Sequence, residues 1–263
     1  MTDTPFDTDR ATIRIGFKNV LGSNWTRKTQ PWADRAPLLE RELIGPDGMR
    51  ASVYFFVEVN RSAERKSLGR MLPHWDVVRT RGHNDAYSDP RKHRVLDSHE
   101  FPLGSTTAQG RRVTIVSYEH MATGRRWTAA NTHLSSSVNT TDESARASRA
   151  TEAKTLVELC RQFEVDVLAA DLNNTVSRPD RPRGILAAAG FRDWRSVITV
   201  GNAEYDIHHE IGQPPPLRAR HLDGFYFGPR VKALSGRIHI TEPDSSDHFG
   251  LVCTVSIDES SIE

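Results

Sequence analysis

Apolar residues recur along this chain in short runs whose spacing is typical of β-strands. Residues 12–20 place Ile13, Ile15 and Phe17 on one face, which is the alternation of a strand that is covered on one side. Residues 52–59 are apolar on both faces, as expected of a central strand covered by other layers. Several runs are rich in β-branched or aromatic residues and are bounded by Gly, Pro, Asn or Asp. The pattern predicts strands over residues 12–20, 52–59, 113–118, 127–133, 165–170, 222–227 and 249–257.

Other segments have the spacing of helices. Residues 142–163 carry an apolar stripe at helical intervals, and Thr140 with Glu143 has the spacing of a capping box before it. Residues 184–189 are predicted as a short helix that ends at a glycine. A further helix is predicted over residues 36–43, with a proline in its first turn.

Strands outnumber helices, and they occur both in direct succession and on either side of helices. This mixture favours an α/β fold in which sheet packs on sheet with helices outside, over a doubly wound parallel sheet. No internal repeat or long linker interrupts the chain. We therefore expect a single domain over residues 12–257, with a flexible N-terminus at 1–11 and a C-terminal tail at 258–263.

The composition is that of an ordinary globular domain. Of 263 residues, 37% are hydrophobic and 26% are charged, which excludes the fibrous and disordered classes. The 35 basic and 34 acidic residues give a net charge of +1, which argues against a basic coat for nucleic acid but allows a local basic cleft. Cys160 and Cys253 cannot build a disulfide framework and are expected to be reduced, buried thiols. No apolar run is long enough to cross a bilayer, and the polar N-terminus is unlike a signal peptide, so we expect a cytoplasmic protein.

Polar side chains stand where the predicted strands end or begin. Because neighbouring strands of a mixed sheet can bring ends and starts to the same edge, these groups can converge on one cleft. They are Asn19, Glu58, His133 and Asp171 at the carboxyl ends of four strands, and Asp223, Asp247 and His248 at the starts of two others.

The chemistry of this set is that of a hard-cation site, because carboxylates and amide oxygens suit Mg²⁺ or Mn²⁺ more than Zn²⁺. The chain contains no Cys-x-x-Cys, no His-Glu-x-x-His and no glycine-rich phosphate loop followed by Lys-Ser/Thr. Taken alone, Asn19 is more typical of a turn, and His133 of a structural histidine. Glu58 is different, because it follows five consecutive apolar residues and an unpaired buried carboxylate is costly. The set as a whole indicates a site for a divalent cation.

Six short strings hold these residues in a fixed order. They read Gly-Phe-Lys-Asn-Val at 16–20, Phe-Val-Glu-Val at 56–59, Asn-Thr-His-Leu at 131–134, Ala-Asp-Leu-Asn at 170–173, His-Leu-Asp-Gly-Phe at 221–225 and Ser-Asp-His at 246–248. In this order they resemble the endonuclease/exonuclease/phosphatase superfamily, the group of deoxyribonuclease I, abasic-site endonucleases, neutral sphingomyelinases and inositol-polyphosphate 5-phosphatases. Two departures are Val57, where a glutamine usually precedes the glutamate, and Ala170, which replaces a glycine.

The resemblance implies both a fold and a cofactor. The fold is a four-layer α/β sandwich of two mixed, largely antiparallel β-sheets packed face to face with outer helices. The activity is Mg²⁺- or Mn²⁺-dependent hydrolysis of phosphoester bonds. Glu58 matches the principal metal ligand, and Asn19 and Asp247 match residues that complete or support the metal site.

The resemblance also implies catalytic roles. Asp171 matches the aspartate that orients or deprotonates the attacking water, and Asn173 matches the amide that supports it and contacts the phosphate. Asp223 and His248 match a carboxylate–imidazole pair, and His133 matches a second histidine that faces the phosphate.

The substrate stays open between several classes. A nuclease that cleaves DNA or RNA with low sequence specificity is favoured, because Arg181, Arg183 and Arg220 stand near the motif loops and can contact backbone phosphates. The alternatives are a hydrolase of a small or lipid phosphoester, similar to a sphingomyelinase or an inositol phosphatase, and a non-catalytic binding module. The inositol phosphatase is the weaker alternative, because the chain lacks that group's arginine after Asn173 and its Cys-Asp-Arg string around Asp223. A monomer is favoured, and the oligomeric state is open.

Overall fold

The computed structural model of the protein has two β-sheets face to face between outer helices, which confirms the predicted four-layer α/β sandwich. The structure describes residues 12–22, 30–104, 110–137, 141–174, 178–197, 222–240 and 243–258. The N-terminus expected at 1–11, and residues 259–263 of the expected tail, lie outside the described residues.

The first sheet has six strands, numbered like all elements in chain order. They lie side by side as β11 (Val231–His239), β12 (Gly250–Ile257), β1 (Thr12–Asn19), β2 (Val53–Val57), β4 (Ala86–Ser88) and β3 (Asp76–Val78). Only β1 and β2 run parallel, and the other neighbours are antiparallel. The parallel pair at the centre therefore ends at one edge of the sheet.

The second sheet repeats this plan. Its strands lie in the order β5 (His93–Pro102), β6 (Arg112–His120), β7 (Arg126–His133), β8 (Val167–Asp171), β10 (Asp223–Phe227) and β9 (Arg192–Asp193). Here β7 and β8 form the one parallel pair, while β10 runs antiparallel to β8. Strand β10 consequently begins at the edge where β7 and β8 end.

Apolar side chains fill the space between the two sheets and beneath the helices. Phe17 of β1 meets Phe225 of β10 edge to face across the two sheets, with ring centroids 6.4 Å apart. Helices α1 (Trp32–Ile44) and α2 (Ser62–Met71) cover the outer face of the first sheet. Helices α3 (Asp142–Gln162) and α4 (Pro182–Ala188) cover the second. The predicted strand at 52–59 is buried on both faces, because Phe55 lies between the sheets and Phe56 lies under the helices.

The predicted elements differ from the observed ones mainly at their ends. Each of the seven predicted strands is present, with ends shifted by two residues or fewer. Helix α1 begins at Trp32, so Pro37 lies inside it rather than in its first turn and removes one bond of the helix ladder. The cap of α3 is Thr141, whose side chain accepts a hydrogen bond from Ser144 N–H at 3.2 Å. The capping residue is therefore Thr141 and not the expected Thr140, which lies outside the described residues.

Several elements were not predicted: α2, α5 (Trp194–Val197), β3, β4, β5, β9 and β11. Three of these strands have only two or three residues, too few for a pattern of alternation. Strand β5 is an edge strand with mostly polar, exposed side chains, so its hydrophobic signal is weak.

Cys160 and Cys253 are buried and form no disulfide, as expected. In the part of the chain that the structure describes, none of the helices combines the length and hydrophobicity needed to span a bilayer.

Candidate functional site

The strand register brings the predicted site residues to one edge of the sandwich. In the second sheet, His133, Asp171 and Asp223 are direct cross-strand neighbours on β7, β8 and β10. In the first sheet, Asn19 ends β1, and Glu58 stands one residue beyond β2 at the same level. The parallel pairs and the antiparallel start of β10 thus produce the convergence that the sequence pattern predicts.

Asn19 joins the two sheets at this edge. Its side-chain N–H groups donate to Glu58 Oε1 and to Asp171 Oδ2, each at 3.1 Å. Its Oδ1 accepts from the backbone N–H of Leu21 at 3.0 Å, which fixes the orientation of the amide. His133 lies against the same carboxylates, with Nε2 3.5 Å from Asp171 Oδ2 and Nδ1 3.8 Å from Glu58 Oε1.

The backbone is strained at two of these positions. Glu58 and Asn173 have φ values of 62° and 47°, in the left-handed region that side chains disfavour. Such conformations cost on the order of 1–3 kcal/mol and persist only where the surroundings impose them. Here Gly22 N–H donates to Glu58 Oε2 at 3.3 Å, and Asn173 N–H donates to Asp171 Oδ1 at 2.8 Å.

Asp223 and His248 form a buried pair. His248 Nδ1–H donates to Asp223 Oδ2 at 2.8 Å, and both side chains are almost completely buried. Burial alone would lower the pKa of His248, but the carboxylates of Asp223, Asp247 and Asp171 raise it to about 10. The imidazole is therefore charged at neutral pH, and its Nε2–H is a second donor.

His133 has the opposite character. Burial, together with the nearby Arg111 guanidinium, lowers the pKa of His133 to about 3, so the ring is neutral at physiological pH. The Asn173 side-chain nitrogen lies 2.8 Å from His133 Nε2 and donates to Leu134 O at 2.9 Å. Both amide hydrogens of Asn173 are thus engaged, so the expected contact with a phosphate requires exchange of one of these bonds.

Asp171 is a buried but ionised carboxylate. Burial acts to raise the pKa of Asp171, yet the charged imidazole of His248 and hydrogen bonds from the Asn173 backbone N–H and the Asn19 amide hold it below its usual value. The carboxylate therefore carries its charge over the whole neutral pH range.

Two sets of residues could hold a metal ion. Ligand atoms of Asp171, Asp223 and His248 all lie within 4.8 Å of one another. His248, however, is charged and donates to Asp223, so it offers no lone pair to a cation. The other set centres on Glu58, whose pKa is raised by burial and by the charges of Asp247 and Asp171. A divalent cation offsets this repulsion between carboxylates. Glu58 with its neighbouring carboxylates therefore fits a metal ion better than the group of Asp171, Asp223 and His248 does.

A buried ion pair beneath the site was not predicted. Lys18 Nζ donates to Glu42 Oε1 at 2.8 Å and to the His248 carbonyl oxygen at 2.6 Å. Glu42 Oε2 in turn accepts a hydrogen bond from the Ser245 hydroxyl. The pair anchors the loop that carries His248 to strand β1 and helix α1.

Arg35 of α1 is a second residue that the sequence reasoning missed. Its guanidinium is fully buried and donates to the carbonyl oxygens of Val20 at 2.9 Å, Leu21 at 2.7 Å and Ser245 at 3.0 Å. It therefore joins the segment after Asn19 to the segment before His248. A signal was present, because Arg35 and Glu42 are seven residues apart and share the buried face of a helix.

Arg111 is a third residue near the site that the sequence pattern did not predict. It is half-buried at the start of β6, where it lowers the pKa of His133 and is itself influenced by Glu152, Asp171 and Glu58. Nothing in its local sequence indicates this position, since the segment that carries it reaches the site only through the pairing of β6 with β7.

The three predicted substrate-binding arginines have different positions. Arg181 lines a cavity of about 450 Å³ beside the site. We call it the arginine pocket, and its walls include Arg146, Arg149, Arg178, Arg181, Asn173 and Asn174. Arg183 is not among the residues that line it; its side chain is buried, with Nη1 3.8 Å from Asp193 Oδ2. Arg220 lies outside the described residues.

No protein-family model and no curated protein matches the chain. Solved structures do match it, over nearly its whole length. An endonuclease/exonuclease/phosphatase from Bacteroides vulgatus has a TM-score of 0.76 at 18% identity, covering 94% of this chain and 99% of that chain. A mannosyl-6-phosphatase from Bacteroides thetaiotaomicron VPI-5482 has a TM-score of 0.72 at 15% identity, with coverages of 92% and 99%. TDP2 from D. rerio, complexed with a single-strand DNA product, has a TM-score of 0.69 at 16% identity, with coverages of 93% and 98%.

The chain has the fold of the endonuclease/exonuclease/phosphatase proteins. The resemblance drawn from the six sequence strings is thereby confirmed at the level of fold. Identities below 20% do not carry the substrate of any of these proteins over to this chain.

Proposed function

We propose that the chain is a divalent-metal-dependent phosphoesterase that hydrolyses phosphodiester bonds of DNA or RNA with low sequence specificity. The observation that carries the proposal is the cluster in which Asn19 bridges Glu58 and Asp171 beside the Asp223–His248 pair. A phosphodiester is an anion that repels nucleophiles. Its hydrolysis requires positive charge against the phosphoryl oxygens and a carboxylate that takes a proton from water.

Glu58 would hold the metal ion, with Asp247 as a further carboxylate. Asn19 supports them, because its N–H groups face Glu58 and Asp171 and so orient both carboxylates. When bound, a Mg²⁺ or Mn²⁺ ion supplies charge stabilisation at the phosphoryl oxygens.

Asp171 is the base in this proposal. It is ionised, and hydrogen bonds from Asn19 and from the Asn173 N–H hold both of its oxygens in place. A water molecule beside it would be oriented toward phosphorus and give a proton to the carboxylate as the new P–O bond forms; the ester P–O bond breaks, and the departing oxygen leaves as an alcohol after taking a proton from solvent.

Histidine and amide donors hold the phosphate. His248 donates Nδ1–H to Asp223 and is charged, so its positive charge would stabilise a phosphoryl oxygen. Asn173 can donate to the phosphate once its side-chain N–H leaves His133 Nε2. His133 is neutral, so its ring nitrogens can then accept or donate other hydrogen bonds.

The nucleic-acid substrate is supported by the arginine pocket next to Asn173, because arginines bind backbone phosphates without reading sequence. TDP2, bound to a single-strand DNA product, shares the fold over 93% of this chain. A small phosphorylated molecule is the second candidate, since a mannosyl-6-phosphatase shares the fold to a similar extent and the pocket has a bounded volume of about 450 Å³.

A substrate panel tests the proposal. Labelled single strands of DNA and RNA, bis-p-nitrophenyl phosphate, p-nitrophenyl phosphate and mannose 6-phosphate are incubated with Mg²⁺ or with EDTA. We expect cleavage of the strands and of the diester only when metal is present, at sites without a common sequence. Activity that EDTA leaves unchanged would contradict the metal requirement, and a clear preference for a phosphomonoester would contradict the nuclease.

A further inference from the structure

We propose that the arginine pocket binds a second phosphate group of the substrate, adjacent to the phosphoester that is cleaved. The inference rests on the proposed function and specifies its substrate class. The best substrate is then an ester with another phosphate close to the scissile one, as in a nucleic-acid strand or a nucleoside bisphosphate.

The arginines of the pocket come from two separate segments. Arg146 and Arg149 project from the first half of α3, and Arg178 and Arg181 stand in the turn before α4. The backbone N–H of Arg181 donates to the Arg178 carbonyl oxygen at 2.9 Å, which closes this turn. The turn packs so tightly on Gly184 that a Cβ there would lie 1.9 Å from the Arg178 carbonyl oxygen. The backbone of the turn that carries Arg178 and Arg181 is therefore held by the fold.

The walls of the pocket carry an excess of positive charge. Four arginines face a single carboxylate, Asp142, in its lining. Among the described residues, neither Arg146 nor Arg178 has an ion-pair partner, while Arg181 Nε lies 3.5 Å from the exposed Asp180. Burial lowers the pKa of Arg149; Glu152 and Asp142 act to raise it, and Arg181 and Arg146 lower it further. Repulsion between like charges of this kind is relieved when an anion enters.

The pocket opens directly beside the site, because Asn173 belongs to both. Its side chain lines the pocket, and the same amide lies 2.8 Å from His133 Nε2. Its backbone N–H also holds Asp171. A phosphate bound by the arginines would thus be a neighbour of the one at Asp171. A nucleic-acid strand carries such neighbours throughout, with one phosphate for about 3.4 Å of helix axis in each strand.

Two nucleotide esters that differ in one phosphate test the inference. Both are p-nitrophenyl esters of thymidine 5′-phosphate, and one of them carries an additional phosphate on the 3′ oxygen. Release of p-nitrophenol with Mg²⁺ is compared for the native protein and for Arg146→Gln combined with Arg178→Gln. Arg126→Gln combined with Arg161→Gln is the matched control, because it removes two exposed arginines from β7 and α3 that do not line the pocket.

We expect the additional phosphate to lower KM about tenfold in the native protein and in the control, because charge-assisted hydrogen bonds to arginine have this magnitude. The pocket variant should lose that difference, whereas the control should keep it. An oligonucleotide is the third substrate. A similar rise of its KM in the pocket variant identifies a strand as the source of the second phosphate, whereas a rise confined to the bisphosphate identifies a small molecule.

Equal KM values for the two esters in the native protein would overturn the second-phosphate site and leave the phosphoesterase intact. If neither ester is cleaved, the proposed function fails, and binding then decides the inference. Calorimetry in EDTA should show that thymidine 3′,5′-bisphosphate binds the native protein and the control about tenfold more tightly than it binds the pocket variant. Equal binding to all of them would overturn the inference.

Discussion

Asn19 is the residue on which the geometry of the site depends most directly, because one amide bridges carboxylates that belong to different sheets. Any relative shift of the sheets changes the distances of this bridge. The distance between the Glu58 and Asp171 carboxylates therefore depends on the packing of the whole core between the two sheets.

Replacement of Asp171 by Asn tests its role as the base. Asn has nearly the same size, and it can turn its oxygen toward the Asn19 amide, so the fold should survive. Because it cannot take a proton, kcat on a diester should fall by about 100-fold or more. Steady-state kinetics and circular dichroism measure the two effects. Asp76→Asn, an exposed substitution on β3, is the control, and comparable turnover in the two variants would exclude Asp171 as the base.

The sequence predicted where these residues stand along the strands better than it predicted their contacts. Glu58, Asp171 and His248 stand at strand ends, and this position is visible in a one-dimensional pattern. Lys18 and Arg35 could not be assigned, because their partners on the His248 loop lie 230 and 210 residues away in sequence. The pattern also does not predict that His133 is neutral, since this depends on burial and on Arg111.

At the scale of elements, helix α1 has two functions. Its Leu39 and Leu43 pack on the first sheet. Its Arg35 and Glu42 form hydrogen bonds with the segments that carry the site residues. The apolar stripe of this helix predicts the first function, although it does so from residue 36 instead of from its true start at Trp32.

His93 joins the two sheets at another point and should make stability depend on pH. It lies on β5, its Nε2 is 2.9 Å from the hydroxyl of Ser52 beside β2, and burial lowers its pKa to about 3. An unfolded chain takes up this proton near pH 6.5, so protonation favours unfolding below that pH. The native protein should lose about 1.4 kcal/mol per pH unit from this group as the pH falls from 6.5 toward 3.

Urea unfolding at several pH values measures this effect in the native protein and in His93→Gln. The variant should be less stable at pH 7, and its free energy of unfolding should decrease less steeply with acid. His99→Gln, a substitution of an exposed histidine on the same strand, is the matched control. An unchanged slope in His93→Gln would show that His93 does not carry this dependence.

At the scale of the whole molecule, metal binding should stabilise the fold. An ion that binds only the folded state at about 100 times its Kd adds about 2.7 kcal/mol, which corresponds to a rise in Tm of roughly 5–10 °C. Calorimetry with and without Mg²⁺ should show this rise in the native protein. Glu58→Gln should show little of it, because a neutral amide replaces the anionic ligand. An equal rise in both proteins would remove Glu58 from the metal site.

The whole-molecule architecture was predictable to the extent that it depends on covered strands. β2 and β12 are apolar enough to indicate two sheets in contact, whereas β5, with its polar and exposed side chains, left no such signal. The order of strands within each sheet could not be predicted from the pattern, because hydrophobic alternation does not specify which strands are neighbours.

One consequence of that order concerns the synthesis of the protein. Strand β12 is the last strand of the fold, yet it lies between β11 and β1, where Ile15 pairs with Cys253 across almost the entire chain. While the ribosome is still making the loop before residue 250, β1 has an unpaired edge and the His248 loop has no anchor. The first sheet therefore closes only after translation has passed β12, and the site forms at the same moment. Pairing at such long range is slow, so the nascent protein passes through a state with an exposed strand edge that can associate with other chains.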